Sequence, residues 1–278
     1  ETRNARYVEA SAGLLKGVKL GETRTADLDL VLRHERVDPE YQSVGAYARP
    51  DQMVNDLQLR GRVAGVSVQA SHARSRDNLD DVASVLTTKT RRSGANLGTG
   101  LAELLSVTGP AKTWLPQVQL RWDRTHQFGE GVPENSGFNA SHVPDQVSVQ
   151  QGLDVAWRWS KVTAGWKLNL SEQDNRQEGR ENADLENRSH AFAVGVRPHA
   201  RLSIDVSLNL ERREAKERDQ VDLTRRWGVR SSLNVLEAWI PRARAAGFVL
   251  VLVTGSRCHA ALLPQKALAN KPVVYYLY

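Results

Sequence analysis

The chain has 278 residues, 40% hydrophobic and 25% charged, with a formal net charge of +6. That length suffices for one barrel or for two small soluble domains. No apolar run approaches the roughly 18 residues a transmembrane helix needs, and the single cysteine, Cys258, excludes an internal disulfide.

A mean hydropathy of −0.48 leaves a membrane location open, because barrel strands alternate lipid-facing and lumen-facing side chains. Aromatics at 6% are lean for two full aromatic girdles. The positive charge sits mainly in the tail. After Glu237 there is no Asp or Glu, while Arg242, Arg244, Arg257, Lys266 and Lys271 follow. The first 236 residues carry 33 basic and 31 acidic side chains, intermixed, so no nucleic-acid partner is expected. The chain opens at Glu1 without a leader, which is expected either after signal-peptide removal or in a piece of a longer protein.

Period two dominates the order of elements. Leu28, Leu30 and Leu32 mark a strand. Leu57, Leu59 and Val63 lead through Ala64-Gly65 into Val66, Val68 and Ala70, a hairpin. Residues 91–104 read as a weaker, glycine-rich strand, and Val118, Leu120 and Trp122 mark one after Pro116. Val147, Val149, Leu153, Val155, Trp157 and Trp159 alternate with polar residues up to Ser160-Lys161. Beyond that turn, Val162, Ala164, Trp166, Leu168 and Leu170 alternate again. Phe192, Val194 and Val196 precede a turn at Arg197-Pro198-His199-Ala200, followed by Leu202 to Leu210 and then Val221 to Val235.

This pattern predicts roughly eleven strands before residue 237, many longer than the usual five or six residues of a soluble sheet. Short turns (Ala64-Gly65, Ser160-Lys161, Pro198-His199) alternate with long polar segments at 123–146, 171–190 and 211–220. That is the layout of periplasmic turns and extracellular loops. The expected fold is therefore all-β: an antiparallel up-and-down meander forming a transmembrane β-barrel over residues 1–236, its closure left open. An atypical basic and apolar tail follows at 237–278. The expected role is a bacterial outer-membrane surface protein or pore component, not an enzyme, in contact with the lipid bilayer and with other outer-membrane or surface proteins. The alternative is a secreted, soluble β-rich module that binds carbohydrate or protein.

Residues 36–47 read Arg-Val-Asp-Pro-Glu-Tyr-Gln-Ser-Val-Gly-Ala-Tyr, and residues 76–81 read Arg-Asp-Asn-Leu-Asp-Asp. This pairing resembles large cell-surface β-barrel proteins of Gram-negative, Bacteroidetes-type outer membranes. The resemblance implies a location and a fold and supplies no catalytic residues.

Four charged positions fall on the polar side of the alternation: Asp154, Arg158, Lys167 and Asp205. They are expected to face a lumen, pairing across strands or lining a channel. Trp157, Trp159 and Trp166 flank Ser160-Lys161 on the apolar side, the position of a membrane-interface girdle. Asp77, Asn78, Asp80 and Asp81 gather oxygens that could hold Ca²⁺, although the spacing is not that of an EF-hand and a solvated turn is the plainer reading. No other cofactor is expected. Asp123 and His126, near Trp122, superficially suggest hydrolase chemistry, with a polar strand end as the simpler account. No G-x-S-x-G and no phosphate-cradling loop occurs.

Overall fold

In the computed structural model, the described residues are 3–22, 24–41, 49–199, 202–233, 248–252 and 260–264. Eleven strands follow one another in a single antiparallel sheet, each hydrogen-bonded to its sequence neighbours: β1(Ala5–Lys19), β2(Thr25–Val37), β3(Gln52–Val63), β4(Val66–Arg76), β5(Thr88–Gly100), β6(Gln117–Gly129), β7(Asp145–Arg158), β8(Val162–Asn175), β9(Leu185–His199), β10(Leu202–Ala215) and β11(Gln220–Leu233). The expected all-β up-and-down meander is what the chain forms. β1 and β11 are its two edges. A separate two-stranded antiparallel sheet pairs β12(Phe248–Leu252) with β13(Ala260–Pro264).

The chain divides into two units, residues 1–195 with 205–229, and residues 196–204 with 230–278. The boundary expected at 236/237 lies outside the described residues, as does most of the tail.

The hairpin at 64–65 follows from its residues. Ala64 (φ 51°) and Gly65 (φ 87°) both lie in the left-handed region, as a two-residue turn of the twist-matching type demands. Alternation then fixes every side chain, since neighbouring residues point to opposite faces. One register row holds Leu28, Gly61, Val68, Leu97, Leu120, Leu153 and Leu168 from β2 to β8. The next row on that face holds Leu30, Leu59, Ala70, Ala95, Trp122, Gln151 and Leu170.

Within the unit formed by residues 1–195 and 205–229, no second layer among the described residues covers this apolar face. Among the described residues only Ala26, Val37, Ala102 and Val147 are buried apolar side chains, and no large side chain is fully buried. Leu32, Leu57, Leu97, Leu120 and Trp122 stand exposed in the middle strands. A soluble sandwich would bury such rows against a facing sheet about 10 Å away.

Several sequence expectations need correction. Residues 171–190 and 211–220 are mostly strand: β8 runs to Asn175, β9 begins at Leu185, and β10 and β11 are joined by residues 216–219 alone. These segments are polar at both alternating positions, so they carry no period-two signal. The backbone ladder extends through them all the same. Arg197-Pro198-His199 lies within β9 instead of in a turn, and residues 200–201 are outside the described residues. The strand read at 91–104 ends at Gly100, and Leu101–Leu104 form a helical turn, α1.

Candidate functional site

The polar face is built from the positions between the apolar ones. A row of Asp27, Arg62, Ser67, Gly98, Gln119, Asp154 and Lys167 crosses β2 to β8. The next row holds Asp29, Arg60, Gln69, Asn96, Arg121, Gly152 and Asn169. Acids and bases sit close enough to pair. Lys167 Nζ lies 2.8 Å from Asp154 Oδ2, and Arg92 lies 3.5 Å from Asp123. Amides link strands too: Gln119 Nε2 donates to Asn96 Oδ1 at 3.1 Å. Small residues make room, because a β-carbon on Gly195 would meet Asp205 Oδ1 and Thr163 Oγ1 at 2.7 Å each.

The four charged candidates thus share one face. Asp154 and Lys167 form an ion pair, Asp205 leans over Gly195, and Arg158 pairs in register with Thr163 at the end of β7. Arg158 makes no ion pair among the described residues.

A concavity of about 780 Å³ opens on this face. Arg60, Arg62, Gln69, Asn96, Gln119 and Asp154 line it, and Glu103 of α1 hangs over one end. Neither Arg60 nor Arg121 has a carboxylate partner among the described residues, whereas Arg62 Nη2 meets Glu103 Oε1 at 2.5 Å. Sequence reading missed α1, Arg62 and Glu103. The available signal was a run of helix formers, Leu-Ala-Glu-Leu-Leu, between Gly100 and Gly109.

The tryptophans cluster near the short turn at 159–161. Trp157 pairs in register with Ala164, and Trp166 with Val155. Trp166 stacks towards His190 at 6.2 Å between centroids. Trp159 lies just beyond β7, with its ring 5.8 Å from that of Trp114. The indole N–H groups of Trp159 and Trp166 are enclosed and meet no acceptor among the described residues.

The oxygen cluster at 77–81 does a different job. Asn78 is buried, and its amide N–H₂ group shares its two hydrogens among three acceptors, the carbonyls of Val82 and Val85 and Thr87 Oγ1, at 3.1, 3.1 and 2.8 Å. Its amide oxygen accepts from Val82 N at 2.9 Å. The Asp51 carboxylate accepts from the backbone N–H groups of Asn78 and Leu79. Asp77 accepts from Thr88 N, Asp80 pairs with Arg3 at 3.2 Å, and Asp81 pairs with Arg76. Each of the four therefore has protein partners of its own, and among the described residues no group of three or more acidic, histidine or cysteine side chains is placed to hold a metal. Asn78 (φ 51°) and Asp81 (φ 50°) both lie in the left-handed region, as turn residues do.

Asp123 and His126 lie on opposite faces. Asp123 belongs to the polar row of Gly94 and Gln150, whereas His126 pairs in register with Val147 and its Nε2 lies 2.8 Å from Asp145. They do not form an acid–histidine pair.

At the end opposite the short turns, the loops tie to one another. Glu130 N donates to Thr87 O, Glu134 N to Ala83 O, and Arg176 N to Asp145 O, each at 2.8 Å. Charge adds to this. Backbone donation from Asn4 and the Arg36 guanidinium hold the Asp38 carboxyl below its ordinary range. The hydrogen bond to Glu186 raises the Lys216 ammonium above its own.

No protein-family model matches the chain, and no curated protein does, so segments 36–47 and 76–81 gain no family from these comparisons. The solved structures include a likeness, the outer membrane channel DcaP of Acinetobacter baumannii, with a TM-score of 0.44 and 11% identity. The match covers 81% of this chain and spans 61% of that channel's length. At this level of likeness the channel's role does not transfer.

Proposed function

We propose that the eleven-stranded sheet is the wall of a bacterial outer-membrane β-barrel whose polar face lines a conduit for small hydrophilic solutes. One observation carries the reading. The sheet is a single layer with mainly apolar rows on one face, left uncovered by any other described residue, and ion-paired polar rows on the other. In water, each exposed leucine forgoes about 1.5–3 kcal/mol of burial energy. Hydrocarbon on that side removes the penalty, and hydrogen-bonded strands leave no polar backbone group facing lipid within the sheet. The lengths agree: β7 to β11 have 14 or 15 residues each, against the roughly 9–11 needed to span a tilted path through the bilayer.

On this reading Asp154, Arg158, Lys167 and Asp205 face the lumen, and Trp157, Trp159 and Trp166 stand at the periplasmic interface. Among the described residues no nucleophile–base pair lies on the polar face, and the chemistry on offer there is charge and hydrogen bonding to passing solutes. The test is fractionation with carbonate extraction, followed by electrophoresis of detergent-folded protein with and without boiling. The expected result is retention in the outer membrane and a mobility that shifts on boiling. A protein that is soluble in periplasm or medium would instead be a secreted binding module.

A further inference from the structure

The connection between β5 and β6, residues 101–116, lies at the same end of the sheet as the short turns 20–24, 64–65 and 159–161. It is far longer than a turn requires, and it does not project away. Its first half folds back over the polar face. Leu101 N donates to Pro116 O at 3.0 Å, which closes the base of the connection, and Val107 N donates to Ala102 O at 2.8 Å, which closes the turn. Ala102 is buried. Arg24, between β1 and β2, donates from Nη2 to Leu104 O at 2.6 Å and to Ser106 Oγ at 3.1 Å. Glu103 reaches Arg62 of β3. It also lies so close over Gly65 that a β-carbon there would stand 2.9 Å from Glu103 Cγ. With strands about 4.8 Å apart, the path from β5 to the β1–β2 turn crosses roughly 14 Å of the polar face.

We propose that residues 101–108 are the selectivity constriction of the pore, and that the Arg62–Glu103 pair sets which sign of small ion passes most readily. The inference rests on the outer-membrane pore reading above. Arg60 and Arg62 flank the mouth of the concavity, and Glu103 is the acid placed against them. Neutralising Glu103 leaves two arginines uncompensated on the lining of the concavity, which favours anions. Neutralising Arg62 leaves Glu103 opposed by Arg60 alone, which shifts the balance towards cations.

The experiment is single-channel recording of the full chain in planar bilayers under a KCl gradient. The variants are Glu103→Gln, Arg62→Gln, the swap Arg62→Glu with Glu103→Arg, and a short Gly-Ser turn in place of 102–107. The expected result is reversal-potential shifts of opposite sign for the two single variants, with the swap close to the parent. The loop replacement should raise conductance about twofold or more. Each variant is first checked for heat-modifiable mobility. If a single variant does not fold, the swap and the loop replacement still decide, because the swap retains a pair. A conducting parent whose conductance and selectivity are unmoved by the folded variants overturns the constriction and leaves the pore standing. A parent that inserts but never conducts overturns both.

Discussion

Replacing Leu168 by arginine tests the assignment of faces most sharply. Leu168 lies six residues beyond Val162, the first residue of β8, on the row shared with Leu120 and Leu153. At about 3.3 Å rise and a tilt near 40°, each residue advances roughly 2.5 Å along the membrane normal, which puts Leu168 about 15 Å from the turn end. The apolar band of such barrels is about 25 Å tall, so this is near the midplane, where arginine costs about 2–4 kcal/mol. That corresponds to a roughly 30- to 900-fold loss in the folding equilibrium. Asn169→Arg, one residue on, points to the polar face beside Lys167 and should cost about 0.5 kcal/mol or less. Trp159→Arg lies near the interface, where the charge costs about 0–1 kcal/mol, with about 0.5–1.5 kcal/mol more from the lost Trp114 contact. Urea titrations in lipid vesicles, read by heat-modifiable mobility, give all three. Equal losses at Leu168 and Asn169 would refute the faces. Trp159→Arg as damaging as Leu168→Arg would indicate a protein core instead of lipid.

Asn78→Ala removes an amide that serves three acceptors and accepts one bond in a buried site, and should loosen the 77–87 loop by about 2–4 kcal/mol; faster hydrogen exchange at the Val82 amide reports it. Gly61→Ala would put a β-carbon 2.1 Å from the backbone oxygen of Asp27, forcing β2 and β3 apart at a cost of about 1–3 kcal/mol; thermal melting in detergent should show a lower midpoint with the same end states. The loop contacts should also be pH-sensitive. With its pKa depressed by Asn4 and Arg36, Asp38 stabilises its tie above the ordinary carboxylate pKa and loses that contribution as pH falls through the lowered one. Lys216, with its pKa raised by Glu186, contributes fully below the ordinary lysine value and loses the contribution as pH rises through the raised one. Limited proteolysis of the 176–184 and 216–219 connections across pH should therefore quicken at the alkaline extreme, while cleavage near 38–41 quickens at the acid extreme.

The meander was legible because its middle strands alternate through their central stretches: Leu97, Leu120, Leu153 and Leu168 each stand between polar residues or glycine. Even the Asp154–Lys167 pair was within reach, since a turn at Ser160-Lys161 sets those two opposite each other. Strand ends were not legible. Glu211 to Ala215 and Ser171 to Asn175 are polar at both parities, so hydrogen bonding to the neighbouring strand, not burial, extends them. Arg62 and Glu103 lie 41 positions apart, and the sequence carries no local trace of their contact. At Asn78 the sequence displayed oxygens, but the fold exploits an amide, whose bonds to 82, 85 and 87 depend on a left-handed turn that composition does not encode.

The direction of the edge strands constrains how such a wall can close. In an antiparallel meander, odd-numbered strands all run one way, so β1 and β11 point in the same direction. Pairing them directly would make a parallel seam in an otherwise antiparallel wall. A second copy in the same membrane orientation meets the same obstacle, since its β1 would lie parallel to this β11. An antiparallel barrel therefore closes only through an odd number of strands beyond these eleven, in keeping with the even counts of bacterial outer-membrane barrels. β12 and β13 do not change the parity, because a hairpin adds two. Their five residues each also fall well short of the roughly nine needed to span the bilayer. Apolar side chains on the edges, among them Val8 on β1 and Leu223 and Trp227 on β11, stand more exposed than Leu120 or Trp122 in the middle of the sheet. On the outer-membrane reading, edge N–H and C=O groups left unpaired by the described residues could not persist in hydrocarbon. The element that completes the wall must thus be an extended strand, antiparallel to both edges, with apolar side chains in step with those of β1 and β11.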